Sequence, residues 1–524
     1  MEKIISFYKQ INEDRLMLAV TLLGAVLAWR INYIQHGWVN VDSLIYFESA
    51  RLFSIGEWKQ AVTLFNWPLY SLLISTVHQL TKLDIQTSAQ ILDILFFTIT
   101  TFSFTKLIQL AGGNKLTILC GAFLLFSSSY IVGNVLPMLL RDQGFWALFL
   151  SSLFFFIKFY RTQKIAYALL WQSAAIIAML FRIEAITFLV CLPIVLLFKC
   201  EHSLKEKFKQ LTIINIIPII SLLLIIVALI TIPSVTLSDF GRLQEVVTIF
   251  PRMMTDIAHM FIKKAHIMGE QVLGYYFSDY GLMGVILTLF GILTLKIINI
   301  ISWPVIGIYS LSRFNQLTRL QMSPDAKKVF YTTAAIALLN AIIIIAQVFV
   351  LSNRYIISLG FISLIFAAFC LASLLRALRT QSTNSLWRKV LLIIILLILG
   401  FSFIKNLLPK KEGYNFEQEA VTYIKRLNIP NSKVFFVTSK STFYAGANYE
   451  HRRSDHWQHT KNAIEDGSIY KYDYLMLYLD VDKNLMEREK IFANRLHSYS
   501  LDKEFYGLNG KKKIMIYAKH PPNE

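Results

Sequence analysis

The chain has 524 residues, of which 55% are hydrophobic and 16% charged, a composition outside the range of soluble globular domains. A net charge of +19 would suggest a nucleic-acid partner in a soluble protein, but here Lys and Arg cluster in short loops between long apolar runs. Because the positive-inside rule explains that bias, we expect a polytopic membrane protein with no nucleic-acid partner.

Apolar runs long enough to cross a hydrocarbon core recur along most of the chain. If the N-terminus is cytoplasmic, every loop rich in Lys and Arg falls on the inner side, as the positive-inside rule requires. We therefore predict about eleven crossings, with the C-terminus outside. The predicted crossings are 16–34, 89–110, 116–133, 145–159, 165–181, 185–197, 211–232, 281–309, 331–350, 356–375 and 390–407.

Two apolar segments do not fit a simple crossing. Segment 67–80 has roughly 14 residues, too few to span the core, and predicts an interfacial or re-entrant helix. Segment 281–309 is interrupted by Lys296 and Pro304 and is followed by a basic loop, which favours one long or broken crossing. The first apolar run has no persuasive small-residue cleavage site after it, so we interpret it as a retained span.

The composition changes to that of a soluble domain after Pro409. Periodicity predicts a helix over 416–427 and buried strands over 433–438, 474–479 and 513–518. The predicted domains are therefore a transmembrane domain, 1–408, with outer loops 35–88 and 233–280, and a small extracytoplasmic α/β domain, 409–524. The four cysteines lie in or beside apolar runs at spacings that predict neither disulfides nor a zinc site.

The first polar segment after the first span, 36–56, contains an ordered pattern of residues. Asp42 is followed by Tyr46, Ala50 and Gly56, and shortly afterwards by Trp67-Pro68-Leu69-Tyr70. This pattern resembles the first extracytoplasmic loop of the GT-C glycosyltransferases, nearest to the ArnT, protein mannosyltransferase and RgtA/B/C/D-like members. The resemblance extends, in order, over roughly residues 16 to 375.

This resemblance implies a GT-C-like fold and a reaction. A sugar would pass, with inversion, from a polyprenyl-phosphate donor to a glycan, lipid or protein acceptor at the outer face of a bacterial plasma membrane. The implied partners are that donor, the acceptor and membrane lipids. No cofactor is implied with certainty, and a divalent metal is left open.

Asp42 is the family's catalytic base under this resemblance. A carboxylate at the boundary between membrane and water suits the removal of a proton from an acceptor hydroxyl. The alternative is that Asp42 only caps the helix that follows it, as Asp often does. We assign Tyr46, one turn later, to substrate binding.

Asp142, next to Arg141, resembles the second acidic position of the family, which contacts the acceptor or a metal ion. Metal-dependent members have a paired acidic motif where this chain has Arg-Asp, so a metal role for Asp142 is left open. We assign Arg141 to the donor phosphate. The alternative is an Arg-Asp pair that anchors a helix end at the interface.

Arg354 and Tyr355 resemble the family's Arg-Tyr element near the donor phosphate. The planar fork of Arg gives a phosphate paired hydrogen bonds and stays charged, whereas the alternative is an ordinary interfacial Arg-Tyr belt. Arg182 is a second phosphate candidate, and Glu184 a substrate-binding candidate. Charges placed at this depth indicate a function or a structural pairing.

Other polar residues receive no catalytic role. Glu48 lies six positions after Asp42 and projects to another side of the helix. His451, His456 and His459 could suggest a metal site, but a solvated loop is the favoured interpretation.

Two other function classes were compared with glycosyl transfer. A lipid-linked oligosaccharide flippase would be expected to carry charges near the midplane and internal symmetry, whereas here the charges collect at one predicted face and no repeat is visible. An O-antigen-type polymerase would be expected to use arginine-rich outer loops. The pattern around Asp42 favours the glycosyltransferase.

Overall fold

The computed structural model describes residues 12–35, 38–199, 203–314, 321–379, 386–409, 413–447, 455–482 and 484–520. Their contacts divide the chain into two compact units. The helical unit comprises Met1–Arg30 and Ala89–Leu407, and the mixed unit comprises Ile31–Ser88 and Leu408–Glu524. Loop 35–88, which the sequence analysis placed in the transmembrane domain, thus groups with the C-terminal region.

The helices and strands alternate with short 3₁₀ and π-helical segments. In chain order, the α-helices are α1 Glu13–Ile34, α2 Val41–Ser54, α3 Trp58–Leu64, α4 Leu69–Thr81, α5 Ile85–Leu110, α6 Lys115–Phe126, α7 Asp142–Thr162, α8 Ile165–Phe181, α9 Ile186–Cys191, α10 Leu204–Ile214, α11 Ile216–Thr231, α12 Leu243–Ile249, α13 Met253–Ile267, α14 Gly281–Ile301, α15 Trp303–Phe314, α16 Pro324–Val348, α17 Ile357–Arg379, α18 Leu386–Leu407, α19 Phe416–Arg426, α20 Ser439–Ala445, α21 His456–Glu465 and α22 Leu485–Arg495. The strands are β1 Val434–Phe436, β2 Tyr474–Asp480, β3 Tyr499–Tyr506 and β4 Lys512–Lys519.

The helical unit accounts for the predicted crossings. Among the described residues, 7 helices are long and apolar enough to span a membrane, and two bent helix pairs raise the number to 9. Two further apolar helices, Ile165–Phe181 and Ile183–Phe198, are shorter than these span candidates. Each predicted crossing falls on one of these helices, which confirms the polytopic helical fold; which face each helix end meets stays a prediction.

Three of the predicted spans are interrupted among the described residues. Segment 281–309 breaks at Ser302, whose φ of 73° ends α14, and Pro304 lies at the start of α15, where its missing N–H costs no helical hydrogen bond. Segment 116–133 bends by 43° between α6 and the helical stretch Ser129–Met138, and segment 211–232 bends by 60° between α10 and α11. The predicted interruption of segment 281–309 is therefore observed, and that its two helices form a single crossing stays a prediction.

The mixed unit contains a four-stranded sheet in the order β1-β2-β4-β3. β1 runs parallel to β2, whereas β4 is antiparallel to both of its neighbours. Helix α19 packs on the sheet through an apolar face that includes Phe416, Val421 and Ile424. The predicted helix and three predicted strands are confirmed, and β3 is an additional edge strand.

Loop 35–88 folds into three helices. Helix α2 packs on α4 through Tyr46, whose ring meets those of Phe65 and Tyr70 edge-on. Ser49 of α2 donates a hydrogen bond to the carbonyl of Ala61 in α3 at 3.2 Å. The short apolar segment 67–80 is thus helical, as predicted, and forms α4.

Candidate active site

Asp42 lies in the first turn of α2 with an exposed side chain. The cap of this helix is Asn40, whose side-chain oxygen accepts a hydrogen bond from the Asp42 amide at 2.8 Å. The alternative in which Asp42 only caps the helix is therefore wrong, because Asn40 has that role. The partial positive charge at a helix N-terminus stabilises a carboxylate at this position.

Two neighbours of Asp42 on α2 have structural contacts. Tyr46 is buried between α2 and α4, so its predicted role in substrate binding stays a prediction. Glu48 forms a paired hydrogen bond with Arg51, at 2.7 and 2.9 Å. The Glu48 carboxylate is therefore held by Arg51, which agrees with the expectation that Glu48 is not the base.

In the helical unit, Asp142 is the first residue of α7 and is almost completely buried. Gly144, one turn into the helix, lets the end of α8 approach, because a Cβ at this position would collide with the ring of Phe181. Arg182 directly follows Phe181, and its Nη1 donates a short hydrogen bond to Oδ1 of Asp142. A glycine and a phenylalanine thus bring together two charged residues 40 positions apart.

Arg182 is the centre of a cluster of charged groups. Its side chain is only 6% exposed and also contacts the carboxylate of Glu184, with Nε 3.3 Å from Oε2. Its guanidinium carbon lies 4.9 Å from the centroid of the Tyr355 ring, within the range of a cation–π interaction. The burial of Arg182 is therefore matched by two carboxylates and an aromatic face.

Arg354 approaches the same carboxylate from a third segment, the short helix Asn353–Ile356 that also carries Tyr355. Its Nη1 lies 3.7 Å from Oδ2 of Asp142, so the two oxygens of that carboxylate face two different arginines. The Arg354 side chain is 30% exposed, five times the figure for Arg182. Arg182 is held within the protein, whereas Arg354 retains access to a ligand.

Five of the six residues predicted in the helical unit are thus linked by contacts, and the sixth, Arg141, is the chain neighbour of Asp142. We define the arginine–carboxylate cluster as Arg141, Asp142, Arg182, Glu184, Arg354 and Tyr355; Arg141 is the half-buried residue that precedes α7. Its three arginines and two carboxylates leave an excess of one positive charge. Such a site suits an anionic group such as a phosphate.

The sequence analysis missed the supporting residues of this cluster. Asn340 on α16 donates a hydrogen bond to the backbone carbonyl of Glu184 at 3.4 Å. Gly144 and Phe181 act through packing alone. An amide in the middle of an apolar span was an available sequence signal for Asn340, whereas nothing local marked the glycine or the phenylalanine.

The histidines of the mixed unit are placed differently from the prediction. His456 and His459 lie on helix α21 rather than in a solvated loop, with the ring of His459 stacked 5.4 Å from that of Phe435 and the ring of His456 4.9 Å from that of Tyr478. His451 lies outside the described residues. Among the residues that the structure describes, no group of three or more His, Cys, Asp or Glu is arranged to hold a metal ion.

Comparison with known proteins gives a structural likeness. The chain is similar to the archaeal oligosaccharyltransferase AglB from Archaeoglobus fulgidus, solved in complex with an inhibitory peptide and a dolichol-phosphate. The match has a TM-score of 0.47 and 12% identity and covers 97% of this chain and 75% of that one. No family model and no curated protein matches the chain.

Proposed function

We propose that the chain is a membrane glycosyltransferase of the GT-C type. It transfers a sugar from a polyprenyl-phosphate donor to an acceptor at the outer face of a bacterial plasma membrane, with inversion at the anomeric carbon. Asp42 is the base, and the arginine–carboxylate cluster binds the donor phosphate.

The observation that carries the proposal is the cluster itself. Asp142, Arg182 and Arg354 come from segments far apart in sequence and meet in a largely buried site. Buried charges are costly in a membrane protein and indicate a substrate pathway or a binding site. Electrostatic groups fixed before the reaction stabilise developing charge without reorganisation.

The reaction divides between these groups. The Asp42 carboxylate takes the proton of the acceptor hydroxyl while that oxygen attacks the anomeric carbon. The bond between the anomeric carbon and the phosphate oxygen breaks, and its electron pair leaves with the polyprenyl phosphate. Arg354 neutralises the negative charge that develops on this leaving group.

Asp142 is a poor candidate for a metal ligand in this arrangement. Its two oxygens face the guanidinium groups of Arg182 and Arg354, which would repel a divalent cation. We therefore propose that Asp142 orients the two arginines, and that the arginines supply the positive charge on the leaving group. No step of the proposed reaction passes through a metal ion.

The test is transfer by the full-length protein in nanodiscs from a panel of polyprenyl-phosphate sugars, with bacterial membranes as the source of acceptor. We expect release of polyprenyl phosphate together with appearance of the sugar in the membrane fraction. Asp42→Asn should lower transfer by about 10³-fold and keep donor binding, whereas Glu48→Gln should leave transfer unchanged. Movement of intact lipid-linked sugar across a proteoliposome bilayer, without cleavage, would instead support a flippase.

A further inference from the structure

The segment that leads into helix α2 is held by the C-terminal region of the mixed unit. The backbone N–H of Val39, three residues before Asp42, donates a hydrogen bond to the hydroxyl of Tyr444 at 3.0 Å. Val39 is itself 1% exposed. The ring of Trp38 stacks on that of Tyr414, with centroids 5.0 Å apart.

A second contact holds α2 beyond Asp42. The buried ring of Phe47 lies 5.8 Å from the ring of Phe443 on α20. Val39 and Phe47 flank Asp42 in sequence, and both meet consecutive residues of one short helix. Helix α2 is therefore fixed at its entry and along its first turns by the same element.

Helix α20 is in turn fixed within the C-terminal region. Its cap, Thr438, accepts a hydrogen bond from the Ser441 amide at 3.0 Å and donates one to Glu417 on α19 at 2.8 Å. Lys440 connects the two sides, since its Nζ lies 3.7 Å from the Glu417 carboxylate and 5.2 Å from the centroid of the Trp38 ring. The anchoring helix is thus bound to the sheet and to α19 as well as to α2.

From these contacts we infer that the C-terminal region sets the position of the Asp42 carboxylate, with Tyr444, Phe443 and Lys440 as positioning residues. This inference rests on the proposed role of Asp42 as the base. Asp42 follows Val39 by three residues, so a shift of the backbone at Val39 also shifts the carboxylate. A base displaced by about 1 Å can lose up to about 100-fold in rate, because the reacting atoms are no longer aligned.

The test compares Tyr444→Phe with Tyr470→Phe in the full-length protein. The first change removes only the hydroxyl that accepts from Val39; the second removes a hydroxyl of the same region that donates to the Arg495 carbonyl at 2.7 Å. For Tyr444→Phe we expect kcat to fall about tenfold, with the donor KM within about twofold of wild type. Hydrogen–deuterium exchange of the peptide covering 38–47 should accelerate only in Tyr444→Phe.

Coupling to the base is tested in an Asp42→Glu background, where the carboxylate is already displaced by one methylene. There we expect Tyr444→Phe to lower kcat by less than about twofold, because residues that act as a unit give non-additive effects. Full additivity would show that Tyr444 does not act through Asp42.

Other outcomes would overturn the positioning role of Tyr444 or the proposed base. Unchanged kcat in Tyr444→Phe, or an equal loss in Tyr470→Phe, would overturn the positioning role. Faster exchange with wild-type kcat would show an anchor without catalytic consequence and would also overturn it. If Asp42→Asn retained full transfer, the proposed base would be wrong, and that failure is distinct because it appears with the C-terminal contacts intact.

Discussion

The helical unit and the mixed unit hold their candidate carboxylates in opposite ways. Asp142 is buried, and both of its oxygens face arginines, whereas Asp42 is exposed on the first turn of a helix that is capped by Asn40. An acceptor hydroxyl can therefore approach Asp42 from solvent, whereas two guanidinium groups cover Asp142. The difference supports the proposed division of roles, in which Asp142 orients the arginines and Asp42 takes the proton.

The most direct test of this difference between Asp42 and Asp142 is to neutralise each carboxylate in turn. We expect Asp42→Asn to lower the single-turnover transfer rate by about 10³-fold, within the range for a lost general base. The donor dissociation constant, measured by competition with polyprenyl phosphate, should change little. If Asp142→Asn caused the larger loss in the chemical step while Asp42→Asn kept most of it, the two assignments would have to be exchanged.

The burial of the cluster is tested through stability. Arg182→Met leaves Asp142 buried beside fewer positive groups, and we expect the free energy of unfolding to fall by about 3–5 kcal/mol. Arg51→Met is the matched control, because it breaks an exposed pair with Glu48 and should cost about 1 kcal/mol or less. Denaturant titration of the purified variants measures both free energies of unfolding. Similar losses in the two variants would show that the cluster contributes no more to stability than an exposed ion pair.

The role of Arg354, the partly exposed arginine of the cluster, is tested through donor affinity. Arg354→Lys keeps the charge but loses the planar fork, so we expect the donor KM to rise about tenfold with a smaller change in kcat. The exposed Arg495→Lys should leave both constants at their wild-type values. A kcat effect with unchanged KM would mean that Arg354 acts only in the transition state.

A smaller effect is expected from pH within the mixed unit. Burial lowers the pKa of the His456 ring, with a partly opposing effect of the nearby Glu417 carboxylate. The unfolded chain therefore binds a proton more readily below a pH of about 6.5, so stability is complete above that pH and falls as the pH drops through it.

Thermal unfolding of the full-length protein between pH 8 and pH 5 measures this dependence. His456→Gln should flatten the decline, and His497→Gln, an exposed histidine of the same region, should not. An unchanged slope in His456→Gln would show that His456 does not contribute to the pH dependence.

Much of the fold was predictable from hydropathy, because each span is a long apolar run that can be recognised without knowing its partners. The same is true of strands β2 and β4, whose continuous apolar runs are buried. Strand β3 escaped prediction because it lies at the sheet edge and alternates few apolar residues with charges such as Asp502 and Lys503.

The site was predictable only in part. Asp142, Arg182 and Arg354 were recognisable as charges near span ends, but their meeting depends on Gly144 and Phe181, whose close packing has no local signature. The grouping of loop 35–88 with the C-terminal region depends on contacts between residues such as Val39 and Tyr444, 405 positions apart. Pairings of this separation are not encoded in any window of sequence.

The edge strand β3 has a consequence for how copies of this protein share a membrane. Anchoring in a bilayer crowds neighbouring molecules, and a flat free strand edge would invite the sheets of adjacent copies to join. The pairing of β3 with β4 shifts register between Leu501 and Lys503, which leaves Asp502 as an irregularity next to a lysine. A charged edge with an irregularity of this kind opposes the extension of the sheet by a neighbouring copy.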